Sequence, residues 1–209
     1  MTSSTRTMQA HPAGEPEAAA VAVHGQSGMA TPLVGMLLFI ASEVMFFGGL
    51  FAAYFNARAL AGPGNWHEPA GGHLDLPLAA VLTAILVASS FTMQFGVWAI
   101  RRGDTGGLRL WTAITLILGI VFLAGQLYDY SQLGFGVADG VFGTTFYTLT
   151  GFHGAHVFGG VVGLTIVLAR TLRGQFSARN HVAVEAVSMY WHFVDVVWIG
   201  VFSTIYLLR

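Results

Sequence analysis

Residues 32–55 read PLVGMLLFIASEVMFFGGLFAAYF, an apolar run with a single carboxyl side chain, Glu43, near its middle. A helix needs about 20 apolar residues to cross the hydrocarbon core of a bilayer. A charged side chain at the centre of such a helix costs roughly 2.5–3.5 kcal/mol on insertion scales, so it usually faces the bundle interior, a polar cavity or a partner. The run therefore predicts a membrane helix whose Glu43 face lies against the bundle interior, a polar cavity or a partner.

Four further apolar runs follow, at residues 77–100, 110–130, 145–169 and 187–208. The chain is 55% hydrophobic and 9% charged, whereas soluble domains carry about 25% charged residues. Because the connections are short, we predict an all-α integral membrane protein, a bundle of five transmembrane helices in one domain, residues 32–209. Residues 1–31 contain no apolar core long enough for a signal peptide, and their Ala, Gly, Pro and Ser content predicts a disordered tail.

The arginines predict the direction of the spans, since cytoplasmic loops carry an excess of positive charge. All nine basic residues are arginine, and seven of them fall on one side of the predicted topology. These seven are Arg6, Arg101, Arg102, Arg109, Arg170, Arg173 and Arg179, whereas Arg58 and Arg209 fall on the other side. We therefore expect a cytoplasmic N-terminus and an external C-terminus.

Net charge and cysteine content exclude several classes of function. A net charge of -1 argues against nucleic acid as a partner. The chain has no cysteine, and a dicopper electron-entry site, an iron–sulfur cluster and covalently attached haem all need thiols.

Histidines and carboxyls inside the predicted spans invite a haem or metal hypothesis. His153 and His156 are three positions apart in the fourth span, and His192 and Asp195 have the same spacing in the fifth. At about 1.5 Å rise per residue, Glu43 and His156 lie roughly 16 and 20 Å from the inner ends of their spans, but His192 lies only about 8 Å in. Two axial ligands must meet at one iron, so this difference in depth disfavours haem, and we predict no metal site.

Several alternatives remain open for these polar groups. His192 and Asp195 can pair with each other or with a neighbouring helix, and His153 and His156 can tie the fourth span to its neighbours. His156 is the nearest partner in depth for Glu43, whose role is either structural or the gating of lipid or protons. For the whole chain, the hypotheses are an accessory subunit, a small proton channel or transporter, and a membrane cytochrome anchor.

Four motifs are recognisable: SEVMFF at 42–47, GQLYDY at 125–130, GFHGAHVFGG at 151–160 and NHVAVEAVSMYWHFVDVVWI at 180–199. In this order they resemble subunit III of the haem–copper cytochrome c oxidases, over essentially all of residues 32–209. The resemblance implies an accessory subunit that binds no haem or copper, packs beside catalytic subunit I, stabilises it, holds phospholipids and supports proton uptake while O₂ is reduced. Haems and copper are then expected in partner subunits.

The resemblance also implies roles for individual residues. Glu43 matches a membrane-embedded glutamate that lies in the family's lipid cleft, and Arg170 matches an arginine that contacts a lipid phosphate. We group His156 with them because of its depth. A further set matches the family signature of the fourth and fifth spans without an assigned chemical role: His153, Trp191, His192, Asp195 and Trp198.

Length separates this chain from many family members, which have seven spans. It begins at what looks like their third span. The resemblance implies a lipid cleft shaped like a V, and we therefore expect the first arm of that V to be absent here. The expected partners are oxidase subunits I and II and membrane phospholipids, with a cytochrome bc complex as a further candidate, in a bacterial plasma membrane. A quinol oxidase subunit III is the alternative, although the SEVMFF motif and residues 180–198 look more like the cytochrome c branch.

Overall fold

The computed structural model describes residues 31–62 and 64–208, and within them the fold is five long helices. They are α1 (Thr31–Ala61), α2 (Leu76–Arg101), α3 (Thr105–Gln132), α4 (Gly140–Leu172) and α5 (Val182–Phe202), the last continuing into a π-helical turn (Ser203–Leu207). All five are long and apolar enough to cross a membrane. The prediction of an all-α membrane protein with five spans is therefore confirmed.

The helices are longer than most of the apolar runs that predicted them. α1 continues six residues past Phe55, through Asn56 and Arg58, and α4 begins at Gly140, five residues before the predicted start. Thr31, placed in the tail by the sequence, is the first residue of α1. The rest of the predicted tail, and Arg6 and Arg209 of the orientation argument, lie outside the described residues. The orientation stays a prediction.

Aspartates cap the first turns of α2 and α3. The side chain of Asp75 accepts a hydrogen bond from the backbone N–H of Leu78, and that of Asp104 accepts one from Gly107. Each bond satisfies one of the free N–H groups in a first helical turn. The turn before α3 also needs Gly103, whose φ of 80° suits a residue without a side chain.

Helices α2 to α5 form a closed four-helix group, in which α3 packs on α2 and α4, and α5 packs on the same two helices from the other side. Glycines allow close approach: a side chain at Gly125 of α3 would overlap Leu82 of α2. The two connections α2–α3 and α4–α5 lie at one end of this group, which we call the arginine-rich end. There Arg101 of α2 bonds Glu185 of α5 at 2.7 Å.

α1 lies outside the four-helix group, against α4 and α5. Only Phe47 and Tyr54 of this helix are buried, and Met45 is 79% exposed. Much of the apolar surface of α1 thus has no protein cover from the described part of the chain. The seam between α1 and α4 brings the first candidate site residues together.

Candidate functional site: two intramembrane polar groups and an arginine

Glu43 and His156 meet at the seam between α1 and α4. Oε2 of Glu43 lies 2.9 Å from Nε2 of His156, while Nδ1 of His156 lies 2.7 Å from the carbonyl oxygen of Phe152 in its own helix. The comparison of depths predicted this partner for Glu43, and the two side chains are in contact. The Glu43 side chain is 19% exposed and the His156 side chain is 16% exposed, so the pair is not fully enclosed by the bundle.

Hydrogen-bond counting limits the protonation of this pair. A carbonyl oxygen can only accept, so Nδ1 of His156 must carry a proton that it donates to Phe152. The contact between Nε2 and Glu43 then needs one more proton, on either the nitrogen or the carboxyl. Both arrangements, imidazolium with carboxylate or imidazole with carboxylic acid, have zero net charge. A neutral pair suits a site at membrane depth.

Aromatic rings pack around the imidazole of the pair. The ring of Phe47 packs edge-on against His156 with centroids 4.9 Å apart, and that of Phe46 is stacked at 6.2 Å. Phe152 of α4 in turn packs against Phe46 at 5.1 Å. These rings hold the imidazole in place and leave an apolar surface beside it.

Arg170 lies on the same side of α4 as His156. The two positions are close to four helical turns apart, which separates them by about 21 Å along the axis with little rotation. Nε of Arg170 donates to Oε1 of Gln175 at 3.0 Å, and its guanidinium carbon lies 4.8 Å above the ring of Phe176. These contacts orient the guanidinium, and its terminal N–H groups have no acceptor among the described residues.

His153 has a different environment from His156, although both are on α4. Its ring is fully buried, lies 4.8 Å from the ring of Trp198, and has Phe122 edge-on at 5.9 Å. Neither ring nitrogen has a hydrogen-bond partner in the described structure. His153 thus ties α4 to α3 and α5 through ring packing rather than through hydrogen bonds.

The two tryptophans of the signature anchor α5 to α2. Trp191 donates from Nε1 to the Ser89 hydroxyl, and Trp198 donates to the Thr83 hydroxyl, both at 2.9 Å. Trp191 also fills a slot between glycines of α3 and α4. A Cβ placed on Gly119 or Gly160 would come within 2.6 Å of its ring atoms.

His192 and Asp195 meet through a third residue, Ser90 of α2. The Ser90 hydroxyl is hydrogen-bonded to Oδ2 of Asp195 and lies 2.8 Å from Nδ1 of His192. Oε1 of Gln94, one turn further along α2, lies 3.3 Å from Nε2 of His192. The sequence predicted that His192 and Asp195 would pair with each other or a neighbouring helix, but it did not identify Ser90 as the link.

The histidines of the site have no arrangement suited to a metal. Within residues 31–62 and 64–208, no group of three or more His, Asp or Glu side chains is placed to hold an ion. Nε2 of His156 faces Glu43, and both nitrogens of His192 face other side chains. The haem-anchor hypothesis gains nothing from this geometry.

Comparisons with known proteins agree on one family. The family model described as cytochrome c oxidase subunit III matches residues 15–209. A probable cytochrome c oxidase subunit 3 from Nocardia farcinica is 50% identical over 179 residues, which cover 84% of this chain and 87% of that protein. The cytochrome c oxidase subunit 3 of Corynebacterium diphtheriae is 48% identical over 84% of this chain and 87% of its own. That of Thermostichus vulcanus is 41% identical over 93% of this chain and 96% of its own.

Proposed function

The chain belongs to the cytochrome c oxidase subunit III family, and from this premise we propose that it stabilises catalytic subunit I, holds structural phospholipids and supports proton uptake. As a member of that family, it is a non-catalytic subunit of an oxidoreductase complex and a multi-pass membrane protein. We further propose subunits I and II as its partners, a cytochrome bc complex as a further neighbour, cytochrome c as the electron donor of the complex, and the bacterial plasma membrane as its location.

The relation between Arg170 and the Glu43–His156 pair carries the lipid proposal. The hydrocarbon core of one leaflet is about 15 Å deep. Arg170 lies about 21 Å from the level of His156 along α4. A phospholipid with its phosphate on the Arg170 guanidinium therefore has acyl chains long enough to approach the pair. A guanidinium fork suits the phosphate, because it donates two parallel hydrogen bonds.

The exposed surface of α1 supports the same proposal. Met45 and Phe46 lie next to the polar pair along the chain and are 79% and 39% exposed. Acyl chains against these side chains cover apolar surface, while the neutral pair at their ends avoids placing a net charge beside lipid.

Counting the phospholipids that stay with the purified oxidase complex tests the lipid site. We expect Arg170→Ala to lose a tightly held phospholipid, because a hydrogen bond to a charged group contributes about 1.5–3 kcal/mol. Arg173→Ala is the matched control, since Arg173 lies at the same end of α4 and is exposed. Native mass spectrometry of the intact complex gives the count directly.

The two variants separate the possible results. Loss of lipid in Arg170→Ala but not in Arg173→Ala supports the site. Equal lipid content in both variants and the wild type contradicts it, and equal loss in both shows only a general attraction of positive charge for lipid.

A second experiment tests the accessory role. Redox difference spectra are taken of the complex pulled down with this chain, and again after its partners have been removed. Haem spectra from the complex and a colourless isolated chain are the expected result. Haem that stays on the isolated chain contradicts the proposed role and restores the anchor hypothesis.

A further inference from the structure

Four polar side chains form an unbroken line between α2 and α5, on different elements from the α1–α4 seam. In order they are Asp195, Ser90, His192 and Gln94. Asp195 is 4% exposed and its Oδ1 has no hydrogen-bond partner among the described residues. Ser90, His192 and Gln94 are only half-buried. The line therefore runs from a buried carboxyl to the surface of the bundle.

The same heavy-atom positions satisfy two placements of one proton. In the first, Asp195 is a carboxylic acid that donates to the Ser90 oxygen, the Ser90 hydroxyl donates to Nδ1 of His192, and Nε2–H of His192 donates to Gln94. In the second, Ser90 donates to a carboxylate, and both ring nitrogens of an imidazolium donate, one to Ser90 and one to Gln94. No side chain has to rotate between them.

From this geometry we infer that Asp195, Ser90 and His192 form an intramembrane proton-transfer site, with Ser90 as the connecting hydroxyl. The Asp195 proton passes to the Ser90 oxygen while the Ser90 proton passes to Nδ1 of His192. One O–H bond breaks at the carboxyl and one N–H bond forms at the imidazole, and Ser90 is unchanged. The site exchanges its proton with its surroundings at His192, the half-buried end.

The carboxyl holds the proton at rest. Oδ1 of Asp195 is buried with no hydrogen-bond partner among the described residues, and a buried carboxylate whose only hydrogen bond comes from Ser90 is costly. The ion pairs within the described part of the chain are Arg101–Glu185, His181–Glu185 and Glu43–His156, so none of them compensates a charge on Asp195.

Among the described residues, His153 of α4 is a further titratable group near this line. It packs on Trp198, one turn after Asp195, and its ring nitrogens have no recorded partner. α3 contributes Thr115 to the nearby polar contacts of α2, through Thr92, and this group does not titrate. His192 is thus the base that the geometry connects to Asp195.

This inference deepens the proposed support of proton uptake, and its use by the complex rests on that proposal. The proton transfer between Asp195 and His192 does not depend on that proposal. Its test therefore measures the proton on Asp195 itself, by infrared spectroscopy of the complete oxidase complex. Subtracting the spectrum of Asp195→Asn isolates the carboxylic acid band of Asp195, and transfer into D₂O shows how fast its proton exchanges.

We expect the band in the wild type and its absence in Asp195→Asn. Ser90→Ala should keep the band but exchange about tenfold more slowly, which corresponds to one lost hydrogen bond in the transfer. Ser90→Thr restores the hydroxyl and should restore the rate. Ser42→Ala is the control, because Ser42 is exposed on α1 and its hydroxyl bonds a carbonyl of the same helix.

Any one of three results overturns the inference. The first is that Asp195→Asn removes no carboxylic acid band, and the second is that Ser90→Ala removes the Asp195 band. The third is that the Asp195 proton of Ser90→Ala exchanges at the wild-type rate. If the Ser90→Ala complex does not assemble, His192→Gln replaces it, with the band retained and exchange slowed as the expected result and unchanged exchange as the contrary one. Slowed exchange with normal proton uptake by the oxidase contradicts the proposed support of uptake, but leaves the site intact.

Discussion

Glu43 and His156 are 113 positions apart in the sequence and 2.9 Å apart in space. The contact joins α1, which lies outside the four-helix group, to α4 inside it. It is therefore both a polar site at membrane depth and a point of attachment for the first helix.

Replacing Glu43 tests this attachment. Glu43→Ala leaves Nε2 of His156 without its partner, and we expect a loss of about 1–3 kcal/mol in the stability of the subunit. Glu43→Gln should lose less, because its amide N–H can donate to a neutral imidazole. The measurement is the temperature at which the subunit leaves the purified complex in mild detergent. If the subunit leaves the complex at the same temperature in Glu43→Ala, Glu43→Gln and the Ser42→Ala control, the attachment role is contradicted.

The slot that holds Trp191 leads to a second prediction. Gly160→Ala places a Cβ within 2.6 Å of the indole, and overpacking of this kind costs about 1–3 kcal/mol. Gly154→Ala is the matched control, because it is on the same helix and its Cβ meets nothing within 4 Å. Thermal unfolding of the two variants should show a lower midpoint for Gly160→Ala alone. Equal midpoints would show that Trp191 moves aside without cost.

The hydrogen bond between Trp198 and Thr83 leads to a third prediction. Thr83→Val keeps the shape of the side chain and removes the hydroxyl, so the buried indole N–H loses its acceptor. We expect a destabilisation of about 1–3 kcal/mol, seen in the denaturant or detergent dependence of unfolding. Thr165→Val provides the comparison, since Thr165 is exposed and bonds only its own helix in the recorded contacts. A similar small effect in both would mean that the indole finds another acceptor.

A fourth prediction concerns the arginine-rich end. The Arg101 side chain is 54% exposed in its pair with Glu185, and exposed ion pairs contribute about 0–1 kcal/mol. We therefore expect Arg101→Ala to change stability by less than about 1 kcal/mol, and the difference to shrink as salt screens the charges. Unfolding midpoints at low and high ionic strength measure it. A large effect that persists in high salt would assign the end a structural role beyond this pair.

Hydropathy predicted the number and order of the helices, because crossing a bilayer requires long apolar runs. It placed their ends less well. α1 continues to Ala61 and α4 starts at Gly140, because a helix keeps its backbone hydrogen bonds beyond the apolar region and polar residues such as Asn56 and Arg58 fit there. Apolarity marks what a bilayer accepts, whereas the helix ends depend on local capping and turns.

Depth along the spans identified His156 as the nearest candidate partner of Glu43, since two groups on neighbouring helices need to share a level in order to meet. It could not predict the role of Ser90. Ser89 and Ser90 are adjacent on α2, yet the first bonds Trp191 and the second bonds Asp195 and lies beside His192. Rotation of α2 about its axis decides this, and that rotation depends on packing across the whole bundle.

The position of α1 has a consequence for biosynthesis. It is the first of the five helices to be translated, yet the helices it packs against, α4 and α5, are the last. Glu43 therefore enters the bilayer more than a hundred residues before His156 exists. The contacts of α1 with α4 and α5 therefore cannot form until these last two helices have been made.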